Sequence, residues 1–199
     1  MAHHIFCIMG KSGSGKDSIY RVLIQDESLG LNTVVTYTTR PRREKEQDGR
    51  EYHFCTDEAY ADHLAKGRII EERAYDTCYG IWRYFTLDDG QIDPGAGDYL
   101  IIGTPESFAS FCRYYGRDRV VPLYIEVEDG VRLSRALVRE KKQAKPAYDE
   151  MCRRFLADRD DFSEDKLRAA GINRRFDNST DVRETCINEI KSYIREFTD

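Results

Sequence analysis

The sequence lacks the features that mark membrane, secreted and zinc-binding proteins. Among its 199 residues the longest wholly apolar run is Ile5–Met9, which is too short for a signal-peptide core or a membrane-spanning helix. No two cysteines form a Cys-x-x-Cys pair, and the six are scattered along the chain, at Cys7, Cys55, Cys78, Cys112, Cys152 and Cys186. This usage is typical of reduced thiols, so we expect a cytoplasmic protein with no membrane partner and no disulfide framework.

An excess of basic residues is also missing. The chain has 31 Lys and Arg against 36 Asp and Glu, which gives a formal net charge of −5. A net acidic chain does not favour a nucleic-acid partner, although a local basic pocket remains compatible with it. Hydrophobic residues make up 40% of the sequence and aromatic residues 12%, enough for a buried core in one domain with insertions.

Apolar strands alternate with amphipathic segments along the chain. Ile5–Met9 is a predicted buried strand, a helix is expected from about Asp17, and residues 39–50 form a charged segment that we expect to be a mobile, solvated loop. Further strands are predicted at residues 33–38, 69–75, 79–85, 99–102 and 120–127, with helices beginning near Thr56, Thr104 and Thr180 and a helical arm at 131–162 that is broken near Pro146. This order predicts an α/β fold, in which a parallel sheet is flanked by helices and interrupted by insertions.

A glycine-rich segment between the first strand and the first helix carries the strongest motif. Residues 10–16 read Gly-Lys-Ser-Gly-Ser-Gly-Lys and match the pattern G-x-x-x-x-G-K. Glycines let backbone N–H groups turn inward around phosphate oxygens, the helix N-terminus faces the same anion, and Lys16 adds a full charge. We therefore expect ATP phosphates to be bound by Gly10, Ser12, Gly13, Ser14, Gly15 and Lys16.

The residue after Lys16 departs from that pattern. Asp17 stands where a Ser or Thr would ligate Mg²⁺, and Ser18 follows one position later. A carboxylate beside a phosphate site repels the nucleotide unless a metal neutralises it, so Asp17 and Ser18 are candidate Mg²⁺ ligands. The alternative is that Asp17 only stabilises the first turn of the helix.

A second motif places two arginines and a tyrosine at defined spacing. Arg40, Arg43 and Tyr52 can hold a dianionic phosphate in a fixed orientation. Together with the glycine-rich segment they resemble the guanylate kinase family, whose pattern is roughly T-T-R-x-x-R-x-x-E followed by G-x-x-Y. The resemblance implies a P-loop kinase fold with a small mixed acceptor-binding insertion and a helical lid.

The same resemblance assigns roles to further residues. It implies that Glu71 and Thr36 contact the guanine base, that Tyr79 joins Arg40, Arg43 and Tyr52 around the acceptor phosphate, and that Thr104 lies at the acceptor. Asp177 and Asn178 resemble a short polar motif beside the adenine. In the charged arm Arg135 resembles an ATP contact, and Arg139 and Arg154 resemble lid arginines that stabilise the transferring phosphoryl group. Lys16 and Arg40 are expected to stabilise the same group and are the other two candidate catalytic residues.

Three positions depart from the guanylate kinase pattern. Ile102 and Thr104 replace two aspartates, and Ile81 replaces a small hydroxyl residue. Gly15-Lys16-Asp17-Ser18 and Gly103-Thr104 instead resemble ribose 1,5-bisphosphate phosphokinases, which are relatives on the same fold. The alternatives are therefore a sugar-phosphate kinase and, from another class, a guanylate-kinase-like interaction module without activity.

The combined expectation is an ATP- and Mg²⁺-dependent kinase whose acceptor is GMP. Its single domain would consist of a core (residues 1–32, 98–130 and 163–199), an acceptor-binding subdomain (33–97) and a lid (131–162).

Overall fold

The computed structural model describes residues 3–44, 46–77, 79–179 and 183–198, in which strands and helices alternate. The strands are β1 (Ile5–Met9), β2 (Leu31–Thr33), β3 (Tyr37–Thr38), β4 (His53–Phe54), β5 (Ile69–Thr77), β6 (Gly80–Leu87), β7 (Asp98–Ile102), β8 (Val120–Glu126) and β9 (Arg175–Asp177). The α-helices are α1 (Lys16–Gln25), α2 (Asp57–Ala65), α3 (Pro105–Tyr115), α4 (Asp129–Lys141), α5 (Tyr148–Asp161), α6 (Glu164–Ala169) and α7 (Arg183–Thr198). None of the helices in these described ranges combines the length and the apolar character that crossing a bilayer requires.

A five-stranded parallel sheet in the order β2-β7-β1-β8-β9 forms the centre of the molecule. Every residue of β1 is buried, as expected of a central parallel strand with both faces covered. Ile5, Cys7 and Met9 face one core layer with α3, whereas Phe6 and Ile8 face the other with α1 and α7. The parallel core flanked by helices is confirmed.

A smaller sheet in the order β4-β3-β6-β5 lies in the predicted insertion. Its strands are mixed, because β3 pairs with β4 in parallel and with β6 in the antiparallel sense. The long β5–β6 pair is antiparallel as well. The side chains of β5 alternate, so that Glu72, Ala74 and Asp76 are exposed on one face and the intervening residues turn to the other.

Two helices follow β8 at the position of the predicted charged arm. The break predicted near Pro146 falls between α4 and α5. At the C-terminus, Cys186 and Ile190 of α7 are buried against the central sheet, as the spacing predicted. Thr180 and Val182, where that helix was expected to begin, lie outside the described residues.

The structure corrects two expectations around residues 33–50. The single strand at 33–38 is wrong: β2 ends at Thr33 in the central sheet and β3 begins at Tyr37 in the other sheet. Residues 34–36 carry the chain from one sheet to the other, which β-branched composition cannot reveal. The segment after β3 is not wholly solvated either, because Arg40 is buried.

Candidate active site

A cleft of about 570 Å³ opens at the carboxyl end of β1, between the mixed sheet and α5. It is lined from the glycine-rich loop by Gly10, Ser12, Lys16 and Asp17, from the insertion by Thr36, Arg40, Arg43, Glu46, Tyr52, Arg73, Tyr75 and Tyr84, and from β7 and α5 by Ile102, Thr104, Arg154, Asp158 and Asp161, among others. Ligands of parallel α/β sheets bind at this edge, where strand ends and helix N-termini meet.

The glycine-rich loop has the backbone geometry of an anion cradle. Gly13 and Gly15 both have a φ of 84°, and Gly15 precedes α1 without a side-chain cap. The N–H groups of Lys16 and Asp17 are therefore left for a ligand, whereas that of Ser18 donates to the carbonyl of Gly15 at 3.0 Å. A hydrogen bond within the loop stabilises its turn, because the N–H of Ser14 donates to the carbonyl of Lys11 at 3.0 Å.

An acid on α5 occupies one donor of the loop. The N–H of Ser12 donates to the carboxylate of Asp158 at 2.8 Å, and Asp158 also accepts from Arg132 at 3.2 Å. Arg132 is fully buried, pairs with Asp129 at 2.7 Å and stacks on the ring of Phe155. These contacts tie α4 and α5 to the glycine-rich loop.

Asp17 lines the cleft beside Lys16, whereas Ser18 is not among the lining residues. Within the described ranges no group of three or more His, Cys, Asp or Glu side chains could hold a metal by itself. That arrangement fits Mg²⁺, which protein sites commonly bind through one or two carboxylates together with substrate phosphates and water. Asp17 is one of several carboxylates that line the cleft, and it is the one next to Lys16 in the sequence.

Arg40 is held in position by a carboxylate that the sequence analysis did not single out. Its two terminal nitrogens donate to the two carboxylate oxygens of Glu46 at 3.0 and 2.8 Å, and its guanidinium lies over the rings of Tyr52 and Phe54. Hydrogen bonding from Arg40, against a smaller opposing effect of burial, lowers the pKa of Glu46. Glu46 also accepts from the N–H of Arg43 at 2.7 Å, which fixes the spacing of the two arginines.

Two of the predicted acceptor residues do not line the cleft. Glu71 is buried, its carboxylate accepts from the hydroxyl of Thr86 at 2.9 Å, and its other oxygen lies 3.3 Å from Nε of Arg73. Tyr79 is 81% exposed and stacks on Trp82. The structure does bring Thr36, Arg40, Arg43, Tyr52 and Thr104 together in the cleft.

The predicted lid arginines lie in different places. Arg154 on α5 lines the cleft, 3.5 Å from the carboxylate of Glu150. Arg139 is exposed on α4 and does not line the cleft. Arg135 donates to the carbonyl of Asn178 at 2.9 Å, and the Asn178 side chain donates to the carbonyl of Ser14 at 2.8 Å, beneath the loop.

Four cleft or loop-supporting residues were missed: Glu46, Arg73, Arg132 and Asp158. Glu46 lies three residues after Arg43, at the acidic position of the family pattern, so that spacing could have identified it. Arg132 and Asp158 are distant in sequence and sit in a charged arm where most side chains are solvated. Nothing local distinguishes them from their exposed neighbours.

Comparisons with known proteins show which proteins the first part of the chain is similar to. The family model described as guanylate kinase matches residues 3–83. Relatives named guanylate kinase include those of Syntrophotalea carbinolica, 39% identical over 77 residues (38% of this chain and 36% of the relative), and Dechloromonas aromatica, 38% identical over 89 residues (44% of each). The sequence matches therefore span less than half of these relatives.

The likeness in fold extends further than the likeness in sequence. A crystal structure of guanylate kinase from Anaplasma phagocytophilum superimposes with a TM-score of 0.64 and 20% identity, over 98% of this chain and 86% of that one. At this identity the match establishes the fold, including the parts beyond residue 83.

Proposed function

We propose that this chain transfers the terminal phosphoryl group of ATP to GMP, on the premise that its residues 3–83 belong to the guanylate kinase family. The observation that carries the proposal is the single cleft lined by both Lys16 of the phosphate loop and the Arg40–Arg43 pair. A donor phosphate held by the loop and an acceptor phosphate held by the arginines would face each other across that cleft. Phosphoryl transfer needs mainly such positioning and charge stabilisation.

Each side chain has a defined task in this reaction. Lys16 and the N–H groups of the loop would hold the donor phosphates, and Arg40, Arg43 and Tyr52 would orient the acceptor phosphate and offset its charge. Arg154 would add positive charge from α5 at the transferring group. Arg139 would need α4 to move toward the cleft before it could contribute, and Arg135 with Asn178 would border the adenine.

Mg²⁺, when bound, would neutralise the negative charge that develops on the donor phosphates. Asp17 would hold it together with phosphate oxygens and water. The role of Ser18 as a second ligand stays a prediction. The division into a core, an acceptor-binding subdomain at residues 33–97 and a lid at 131–162 is likewise proposed, and the mixed sheet within 33–97 supports it. A cytoplasmic location is supported by the five described cysteines, which are all free thiols.

A sugar bisphosphate is the second candidate acceptor. It is favoured by Gly15-Lys16-Asp17-Ser18 and by the cleft position of Thr104 in place of an aspartate. An inactive interaction module is disfavoured, because the phosphate loop keeps its glycine conformations and Lys16 lines the cleft.

A coupled assay of ADP release decides between these functions. Purified protein with ATP and Mg²⁺ is supplied in turn with GMP, dGMP, AMP, UMP, CMP and ribose 1,5-bisphosphate. We expect the highest kcat/KM with GMP and the loss of turnover in Lys16→Ala, which removes charge at the transferred group without touching the core. Turnover with ribose 1,5-bisphosphate alone would favour the second candidate, and no turnover with any acceptor would favour the interaction module.

A further inference from the structure

An unexpected arginine stands on the cleft face of the mixed sheet. Glu71, Arg73 and Tyr75 of β5 lie on the face opposite the exposed one. Their partners in β6 are Thr86, Tyr84 and Trp82, respectively. Arg73 lines the cleft, and only 16% of its side chain is exposed. It also borders a second cavity beside Thr104 at the start of α3.

Arg73 lies beside a buried carboxylate, but that contact does not use up its hydrogen-bond donors. Its Nε lies 3.3 Å from the buried carboxylate of Glu71, yet neither of these two atoms has a hydrogen-bond partner among the described residues. Burial opposes the charged form of Arg73, but Glu71, with smaller contributions from Tyr75 and Tyr52, raises the pKa of the guanidinium above its ordinary value. Glu71 therefore keeps the Arg73 guanidinium charged at the cleft wall. A ligand in the cleft would contact this guanidinium and not the Glu71 carboxylate.

An arginine can only donate hydrogen bonds, so its ligand must present acceptors. Guanine offers two adjacent acceptors, O6 and N7, which match the two-pronged guanidinium; adenine offers N7 beside an amine that is itself a donor. Among the other positions considered for base recognition, Ile102 is apolar, and Ile81 and Glu71 do not line the cleft. Thr36 does line it, but its single hydroxyl can donate to only one of the two acceptors.

We propose that Arg73, positioned by Glu71, determines acceptor specificity by donating to O6 and N7 of guanine. This inference rests on the proposed function, because it assumes that the acceptor phosphate binds at Arg40 and Arg43. It assigns base recognition to a residue of this chain that none of the predicted roles included. Glu71 acts through Arg73 and is a positioning residue.

The test removes one acceptor atom from the ligand and one donor from the protein. Binding of GMP and of 7-deaza-GMP, which lacks N7, is measured by calorimetry without ATP for wild type, Arg73→Gln and Arg73→Lys. Hydrogen bonds to a charged group contribute about 1.5–3 kcal/mol, so wild type is expected to prefer GMP by roughly 10- to 100-fold. Arg73→Gln is expected to bind the two ligands equally, and Arg73→Lys, whose ammonium can still donate to N7, is expected to keep a reduced preference for GMP. Thermal unfolding checks that each variant is folded.

Arg83→Gln is the matched control. Arg83 lies in the same sheet, opposite Ala74, and its guanidinium packs over the ring of Tyr60 on the face away from the cleft. This variant should retain the wild-type preference. Arg73→Lys keeps a positive charge beside Glu71, so it separates the loss of the two-pronged contact from the loss of charge neutralisation.

Each outcome bears on one of the two proposals. Equal binding of GMP and 7-deaza-GMP by wild type overturns the role of Arg73 even if GMP is phosphorylated, as does a full preference in Arg73→Gln. Selective binding that Arg73→Gln abolishes supports the inference even if no phosphoryl transfer is found, in which case only the proposed activity fails. If wild type binds ribose 1,5-bisphosphate and not GMP, the guanine assignment is wrong.

Discussion

The carboxylate of Asp158 and the backbone N–H of Ser12 form a 2.8 Å hydrogen bond that joins helix α5 to the phosphate loop. A backbone N–H in such a loop is a donor that a nucleotide phosphate would otherwise use. The acid thus stands at the edge of the phosphate site, where buried Arg132 compensates its charge. Nucleotide binding at the loop and the position of α5 are therefore expected to depend on each other through this contact.

Asp158→Ala should therefore change stability and nucleotide affinity in opposite directions. The free energy of unfolding should fall by about 1–3 kcal/mol, because Arg132 loses one of its two acid partners and keeps only Asp129. ATP should bind about threefold to tenfold more tightly, because a like charge and a competitor for the Ser12 N–H are gone. Urea denaturation and calorimetry measure the two effects.

Asp160→Ala is the control for that substitution, since Asp160 is an exposed carboxylate on the same helix. It should leave both quantities within error of wild type. Weaker ATP binding in Asp158→Ala would contradict the competition and would indicate that Asp158 instead holds the loop in its binding conformation.

Asp17→Ser tests the acid beside Lys16. If Asp17 supplies carboxylate charge to Mg²⁺, a serine at this position should raise the Mg²⁺ concentration needed for half-maximal activity several-fold, because a neutral hydroxyl is a weaker ligand for a hard cation. The ADP-release assay, titrated with Mg²⁺ at fixed ATP, measures this. An unchanged Mg²⁺ requirement with faster turnover would mean that Asp17 only stabilises the first turn of α1.

The ion pair between Arg40 and Glu46 should make the fold sensitive to acid. Since the pKa of Glu46 lies below its ordinary value of 4.5 in the folded protein, the unfolded chain takes up the proton first as the pH falls. The stabilisation is fully present above about pH 4.5 and is lost as the pH drops through the folded-state pKa. Urea denaturation of wild type and Glu46→Gln should differ near pH 7 and converge in strong acid.

Glu44→Gln serves as the control, because Glu44 is exposed two residues earlier in the same segment. A difference between wild type and Glu46→Gln that persists unchanged to about pH 2 would contradict the linkage. In that case Glu46 would act through packing and not through its charge.

The central fold was predictable from sequence because its signals are local. The apolar run of β1, the glycines after it and the Thr-Pro-Glu start of α3 each encode their own element. β9 and α6 escaped prediction because segments of three and six residues are too short to show a periodicity, and β9 forms by pairing with β8. The path from β2 to β3 was missed for a similar reason, since a change of sheet is set by distant partners.

The residues of the candidate site likewise separate into those that local sequence spacing identifies and those that it does not. Lys16, Arg40, Arg43 and Tyr52 were found by spacing, because a phosphate imposes fixed distances between neighbouring groups. Arg73 and Asp158 act across elements that lie far apart in the chain, so their burial and partners appear only in the folded protein. For Glu71 the spacing was misleading. Its position fits the family pattern, yet its carboxylate is buried against Arg73 and Thr86.

Gly13→Ala tests how closely the phosphate loop and helix α4 are packed. A Cβ at Gly13 would lie 2.6 Å from the carbonyl oxygen of Arg132, and the backbone φ of 84° is unfavourable for alanine in any case. At Gly67, with a φ of 64°, a Cβ would meet nothing within 4 Å. Gly67→Ala thus carries the backbone strain alone and is the matched control.

We expect Gly67→Ala to lower the free energy of unfolding by about 1–2 kcal/mol and Gly13→Ala by about 2–4 kcal/mol, measured by urea denaturation. The difference reports the displacement of the first turn of α4, which holds Arg132 and through it Asp158. That displacement should also raise the KM for ATP in Gly13→Ala while Gly67→Ala leaves it unchanged. Equal losses of stability in the two variants would mean that α4 yields freely at this contact and does not transmit the substitution to Arg132.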